Sequence, residues 1–127
     1  MSYQEALKKI NLTEKDVVDY REGKLISNSG EDCVNYPGFI ILTKKKLFFV
    51  TEKGFLRSMR CMYDIELQQI KSIYKFPLIN NYTIMANTAQ EGAGFLKRMF
   101  KTKNAQMKIS DGKTFVNKIK ELNPKIK

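Results

Sequence analysis

The sequence predicts a mainly β (α+β) domain: about seven short antiparallel strands closed into a small barrel or an orthogonal pair of sheets, a short helical N-terminus, and one amphipathic C-terminal helix. Three observations point there. Short apolar segments rich in β-branched and aromatic residues follow one another between turn residues across positions 24–110. Met59, Cys61, Tyr63, Ile65 and Leu67 alternate with Arg60, Asp64 and Glu66, Met62 being the exception, a period of two that marks a half-buried strand. Phe115, Val116, Ile119 and Leu122 then recur at helical spacing. At 127 residues the chain has the length of one domain, able to bury roughly two-thirds of its unfolded surface.

The elements follow in order. Residues 1–20 read as helical, with Ala6, Leu7 and Ile10 on one stripe and Thr13 placed as an N-cap before Glu14 and Asp16. The pattern changes at Lys24; residues 27–32 form a turn cluster, and Pro37-Gly38 reads as a second turn. Phe39-Ile40-Ile41-Leu42 and Leu47-Phe48-Phe49-Val50 read as strands, joined by Thr43-Lys44-Lys45-Lys46, which is too short for anything but a hairpin connection. Glu52-Lys53-Gly54 turns the chain into the alternating strand. Ile70 and Ile73 carry the apolar face onward, Tyr82, Ile84 and Ala86 form a further strand, and Met107 and Ile109 a last one before the Asp111-Gly112 turn. The terminal helix occupies 112–123 and stops at Asn123-Pro124. Strands this short cannot make a wide open sheet with a well-buried face, so they close, and the terminal stripe covers an open end of the barrel. Each of its four apolar side chains is worth about 1.5–3 kcal/mol on full burial.

Composition removes several classes of function. The chain has no histidine, the usual general base and commonest metal ligand, so serine or cysteine nucleophiles lack a partner and Cys33 and Cys61 make no zinc site. No glycine-rich nucleotide loop occurs, and Asp64 and Glu66 read as charge balance beside lysines. No catalytic residue, metal or cofactor is therefore expected. The longest apolar runs are four residues, far short of the about 20 that a membrane span needs, and no export signal is visible at the N-terminus. A cytoplasmic protein with reduced thiols is the expectation.

Charge is unevenly placed. Residues 1–43 carry 5 Lys/Arg and 7 Asp/Glu, a net −2, whereas residues 44–127 carry 18 and 6, a net +12. Such asymmetry suits a face that meets phosphate. Lys44, Lys45 and Lys46 at the hairpin tip, with Arg57, Arg60 and Lys71 on neighbouring strands, are the first candidates for an anion-binding surface, against the plainer reading that they only solvate it. The second is the stretch 92–103. On a helix, Phe95, Leu96, Met99 and Phe100 form one stripe and Lys97, Arg98 and Lys101 lie away from it, with Lys103 following, the design of an interfacial membrane helix or of a partner-binding one. Packing of those aromatics into the barrel is the competing reading.

The run Gly38-Phe39-Ile40-Ile41-Leu42-Thr43-Lys44-Lys45-Lys46-Leu47-Phe48-Phe49-Val50 resembles the hairpin of GRAM and bacterial pleckstrin-homology-like (PH-like) domains, and Leu67-Gln68-Gln69-Ile70-Lys71-Ser72-Ile73 is similar to a later strand of that family. With the closing helix, the resemblance spans roughly residues 14–122. It implies a barrel of two nearly orthogonal antiparallel sheets, seven strands in all, capped by the C-terminal helix. It also implies non-catalytic docking to anionic lipids or to proteins. One departure stands out: the segment from Gly23 to Gly38, where phosphoinositide-binding members carry a basic loop, holds Lys24 but also Glu31 and Asp32.

The functional expectation is a binding or adaptor domain at an anionic phospholipid surface, or on a protein partner there, at the inner face of the membrane. Nucleic acid ranks behind, because no helix-turn-helix, RNA-recognition or zinc module accompanies the net charge of +10. A purely protein–protein module is the remaining alternative.

Overall fold

The computed structural model describes residues 2–27, 36–51, 63–86 and 105–126. Helix α1 (Tyr3–Lys9) starts at Ser2, whose hydroxyl accepts the Glu5 N–H at 3.2 Å. A single 3-10 turn, Glu14–Asp16, follows; the Thr13 N–H and hydroxyl donate to the Asp16 carboxylate at 3.0 and 3.2 Å. The chain then enters strand β1 (Val17–Ser27). The expected helix over 1–20 is thus corrected. Helix covers only 3–9, and residues 17–20 are strand. Val17 and Val18 are β-branched, and Val17 to Leu25 find hydrogen-bonding partners along β2, which outweighs the weak helical signal of a short segment.

The remaining elements are β2 (Tyr36–Thr43), β3 (Lys46–Thr51), β4 (Tyr63–Glu66), β5 (Ile70–Lys75), β6 (Tyr82–Ala86), β7 (Ala105–Ile109) and helix α2 (Lys113–Leu122). All strands join one seven-stranded antiparallel sheet in the order β4-β3-β2-β1-β7-β6-β5. Strand β1 is the seam: Val17 to Leu25 pair with β2, and Gly23 to Ser27 with β7. The two edge strands, β4 and β5, are separated in sequence only by the 3-10 turn Leu67–Gln69. A flat sheet would hold these edges about 29 Å apart, six strand spacings. From Glu66 to Ile70 a 3-10 turn advances the chain four steps, only about 8 Å. The sheet is therefore curled into a half-barrel.

Pro37 and Gly38, expected in a turn, lie inside β2, with Gly38 opposite Gly23. The glycines serve the curl instead. A Cβ on Gly23 would stand 2.5 Å from the Lys108 carbonyl oxygen and 2.6 Å from Ile40 Cδ1. On Gly38 it would meet the Val50 carbonyl oxygen, and the Phe49 ring at 2.7 Å. Strands approach too closely here for any side chain. Pro37 sits one residue beyond the last β2–β3 pair, Gly38↔Thr51, at a strand end where proline is tolerated.

The curled sheet buries both faces in part. Leu25, Ile40, Leu42, Leu47, Phe49, Ile65, Ile84, Met107 and Ile109 fill the inside, and α2 closes it with Phe115, Val116 and Ile119. Ala6 and Leu7 of α1 cover the outside of the β2–β3 hairpin, over Phe39, Ile41 and Val50. Apolar pairs on both faces explain the unbroken four-residue runs in those strands. Ile70 and Ile73 are both buried although three apart, because a bulge between Ile70 and Ser72 shifts the register by one. Leu122, expected on the buried stripe, is 38% exposed. The helix ends there. The Asn123 amide donates to the Leu67 carbonyl at 3.0 Å, and Ile126 takes the buried position instead. No helix among the described residues is long and apolar enough to cross a membrane.

Tyr3 of α1 stacks on Tyr20 of β1, ring centroids 3.7 Å apart at 9°, and both lean on Phe39. Burial, followed by the charges of Glu14, Tyr20 and Asp19, raises the Tyr3 phenol above its ordinary 10.0. The neutral phenol is favoured by the fold, so its contribution is complete below pH 10 and is lost as pH rises through the raised folded value. A series of melts across that alkaline range should show wild type losing stability more steeply than Tyr3→Phe; identical slopes would remove Tyr3 as the cause.

Candidate functional site

The basic hairpin tip is built by Thr43. Its hydroxyl accepts the N–H of Lys46 at 3.0 Å and of Lys45 at 3.4 Å, and donates to the Lys46 carbonyl at 3.1 Å. This local hydrogen bonding closes a two-residue connection without glycine. The Leu67 N–H donates to the Lys45 carbonyl at 3.3 Å and ties the tip to the 3-10 turn between β4 and β5.

The three lysines then part company. Lys46 begins β3 and is half-buried, its Nζ 3.1 Å from Asp64 Oδ2 on β4. It is a local ion pair, worth under about 1 kcal/mol in so solvated a place. Lys44 and Lys45 are exposed and have no ion-pair partner among the described residues. Two open grooves flank them. One, about 670 Å³, runs past Glu66, Gln68 and Ile70 to Leu122 and Lys125; the other, about 470 Å³, passes Lys15, Val17 and Phe48. Lys15 and Lys125 likewise carry no ion pair among the described residues. Of the carboxylates lining these grooves, Asp16 is held by Thr13, and Glu66 accepts the Gln68 amide at 2.5 Å. Four ammonium groups that carry no ion pair among the described residues therefore line these two adjoining grooves.

Lys71 is exposed in the β5 bulge beside Ile70, a residue of the larger groove, and is itself engaged in an interaction. Arg57, Arg60, Phe95, Lys97, Arg98, Phe100, Lys101 and Lys103 lie outside the described residues, as do Cys33 and Cys61.

A second exposed feature has no counterpart in the sequence reading: the β5–β6 loop. Tyr74 is 58% exposed, Phe76 44%, Leu78 99% and Ile79 50%. The signal was present in Phe76-Pro77-Leu78-Ile79-Asn80-Asn81, three large apolar residues inside a Pro/Asn-Asn turn, where nothing requires them to be buried.

No family model matches the chain, and no curated protein matches it. Among solved structures it is similar to the crystal structure of the C-terminal domain of an unknown protein from Leishmania infantum, with a TM-score of 0.53, 12% identity, and 94% of each chain covered. That likeness is one of fold alone: a mainly β, curled seven-stranded antiparallel sheet with a C-terminal helix.

Proposed function

We propose that this chain is a PH-like barrel acting as a non-catalytic docking domain for an anionic phospholipid surface on the cytoplasmic side of a membrane. In support of the fold, two meanders, β1–β4 and β5–β7, meet along β1 at the Gly23–Gly38 corner. The three-residue β4–β5 link needs those halves to cross steeply, and α2 packs on the shared interior. In support of the function, the carrying observation is the hydrogen-bonded tip that presents Lys44 and Lys45 to solvent, without carboxylate partners among the described residues, between Lys15 and Lys125.

Each cation close to an anionic leaflet is worth about 1 kcal/mol, so the four that line the two grooves contribute about 4 kcal/mol, enough for reversible attachment. The attraction decays within a Debye length of about 10 Å at 0.1 M salt. Non-catalytic use agrees with a sequence that lacks histidine.

The purified domain is expected to pellet with mixed phosphatidylcholine–phosphatidylserine vesicles and not with phosphatidylcholine alone. Lys44→Glu with Lys45→Glu should weaken pelleting by at least about tenfold, and high salt should mimic the variant. Equal recovery in the supernatant with both lipids would overturn the proposal. Retention instead on an acidic protein or on labelled RNA that survives physiological salt would point to those partner classes.

A further inference from the structure

We infer that the β5–β6 loop is an apolar anchor that enters the interface of the same anionic bilayer, with Leu78 at its tip and Lys24, Lys75 and Lys108 around its base. This builds on the membrane docking proposed above, but it assigns the contact to a surface that the lysine tip does not include.

The loop is held in place. The Phe76 N–H donates to the Asn81 carbonyl at 3.0 Å and closes it. The Gly112 N–H donates to the Asn80 carbonyl at 2.8 Å, and the Asp111 N–H to Asn81 Oδ1 at 3.4 Å, tying the loop to the start of α2. On this platform Leu78 is 99% exposed and sits at a φ of 68°, in the left-handed region that a bulky residue rarely adopts. The backbone is thus strained to hold a leucine entirely in water. Single exposed apolar residues are ordinary, but Tyr74, Phe76, Leu78 and Ile79 fall within six positions.

Charge decides the occupant. Lys24 on β1 stands directly opposite Lys108 on β7, and Lys108 opposite Thr83, itself opposite Tyr74. Like charges directly opposite each other across a ladder are destabilising, and a nearby anion relieves that repulsion. Neither lysine has an ion-pair partner among the described residues; the Lys108 ammonium lies 5.6 Å from the Phe76 ring centroid. Both lysines border an open groove of about 570 Å³ whose one carboxylate is Glu22. Lys75 is exposed next to Phe76. An apolar prominence beside cations that carry no ion pair among the described residues matches the two layers of an anionic bilayer, acyl boundary beneath and phosphate above.

The chain has no tryptophan, so Leu78→Trp supplies a single reporter at a position that packs against nothing. Adding phosphatidylserine-containing vesicles should shift its emission to the blue and expose it to quenching by bromine-labelled acyl chains, whereas phosphatidylcholine vesicles should do neither. Leu78→Asp with Ile79→Asp should reduce vesicle binding at least about tenfold while leaving the melting temperature unchanged. If wild type pellets with the acidic vesicles but the aspartate variant binds equally, or the tryptophan emission stays put, this inference fails and the lysine tip stands alone. If wild type does not bind at all, both proposals fall.

Discussion

Removing residues 113–127 is expected to leave a chain without a cooperative thermal transition. Phe115, Val116, Ile119 and Ile126 are all at least nine-tenths buried, and they close the inside of the half-barrel against Leu25, Ile40, Phe49 and Ile109. At about 1.5–3 kcal/mol each, their burial amounts to about 6–12 kcal/mol, comparable with the whole stability of a domain this size. The truncated chain also exposes the inward residues of every strand they cover. Polar contacts reinforce the helix but do not decide its fate. Asp19 accepts Arg21 at 2.8 Å and Lys118 at 3.2 Å, pinning α2 to β1, and the Arg21 guanidinium sits 5.7 Å from the Phe115 ring centroid. Partly exposed pairs of this kind are worth about 1 kcal/mol or less. Phe115→Ala is the graded version, expected to cost about 3–5 kcal/mol, while Lys118→Ala should cost under about 1 kcal/mol. Circular dichroism melts test all three. A truncated chain that still unfolds cooperatively near the wild-type temperature would show that the sheet sustains its own core.

The same physics explains which parts of the fold were readable in the sequence. Period-two alternation and the helical stripe are local signals, so Tyr82, Ile84 and Ala86, the 107–109 strand and most of the closing helix stand where periodicity puts them. The helical reading of residues 1–20 runs too far because the pairing of Val17 to Tyr20 with β2 joins residues more than twenty positions apart, and the only local mark of strand is the β-branched pair Val17 and Val18. Leu122 fails the stripe because Asn123 reaches the Leu67 carbonyl and brings Ile126 inward, a contact across 56 residues. The hairpin lysines are legible as a group, but the division between Lys46, spent on Asp64, and Lys44 and Lys45, which have no ion pair among the described residues, depends on the β3–β4 register. The β5–β6 loop is not legible in the sequence because its significance lies in exposure, and an apolar residue carries no local sign of whether it is buried.

Gly38→Ala is expected to be the costliest single-methyl change in the described part of the chain. Its new Cβ points at the Val50 carbonyl oxygen, a backbone atom fixed in the β2–β3 ladder, and at the fully buried Phe49 ring, 2.7 Å away. Neither can retreat without breaking pairing or disturbing the core, so a penalty of about 3 kcal/mol or more is expected, a fall in melting temperature of about 10 °C. Gly23→Ala faces the Lys108 carbonyl at 2.5 Å and should behave similarly. The two positions are directly paired, so the double variant should depart from additivity. Gly112→Ala is the control: its nearest contact, at 2.8 Å, is Ile109 Cγ2, a side-chain atom, and about 1 kcal/mol is expected. Ordinary glycine effects, a loss of backbone entropy on folding, would instead make all three alanines neutral or mildly stabilising. Melts of the three variants therefore separate a steric corner from a flexible turn. A wild-type melting temperature for Gly38→Ala would mean that β1 and β2 can part at this point, and then the curl that holds Lys24 against Lys108 would have another cause.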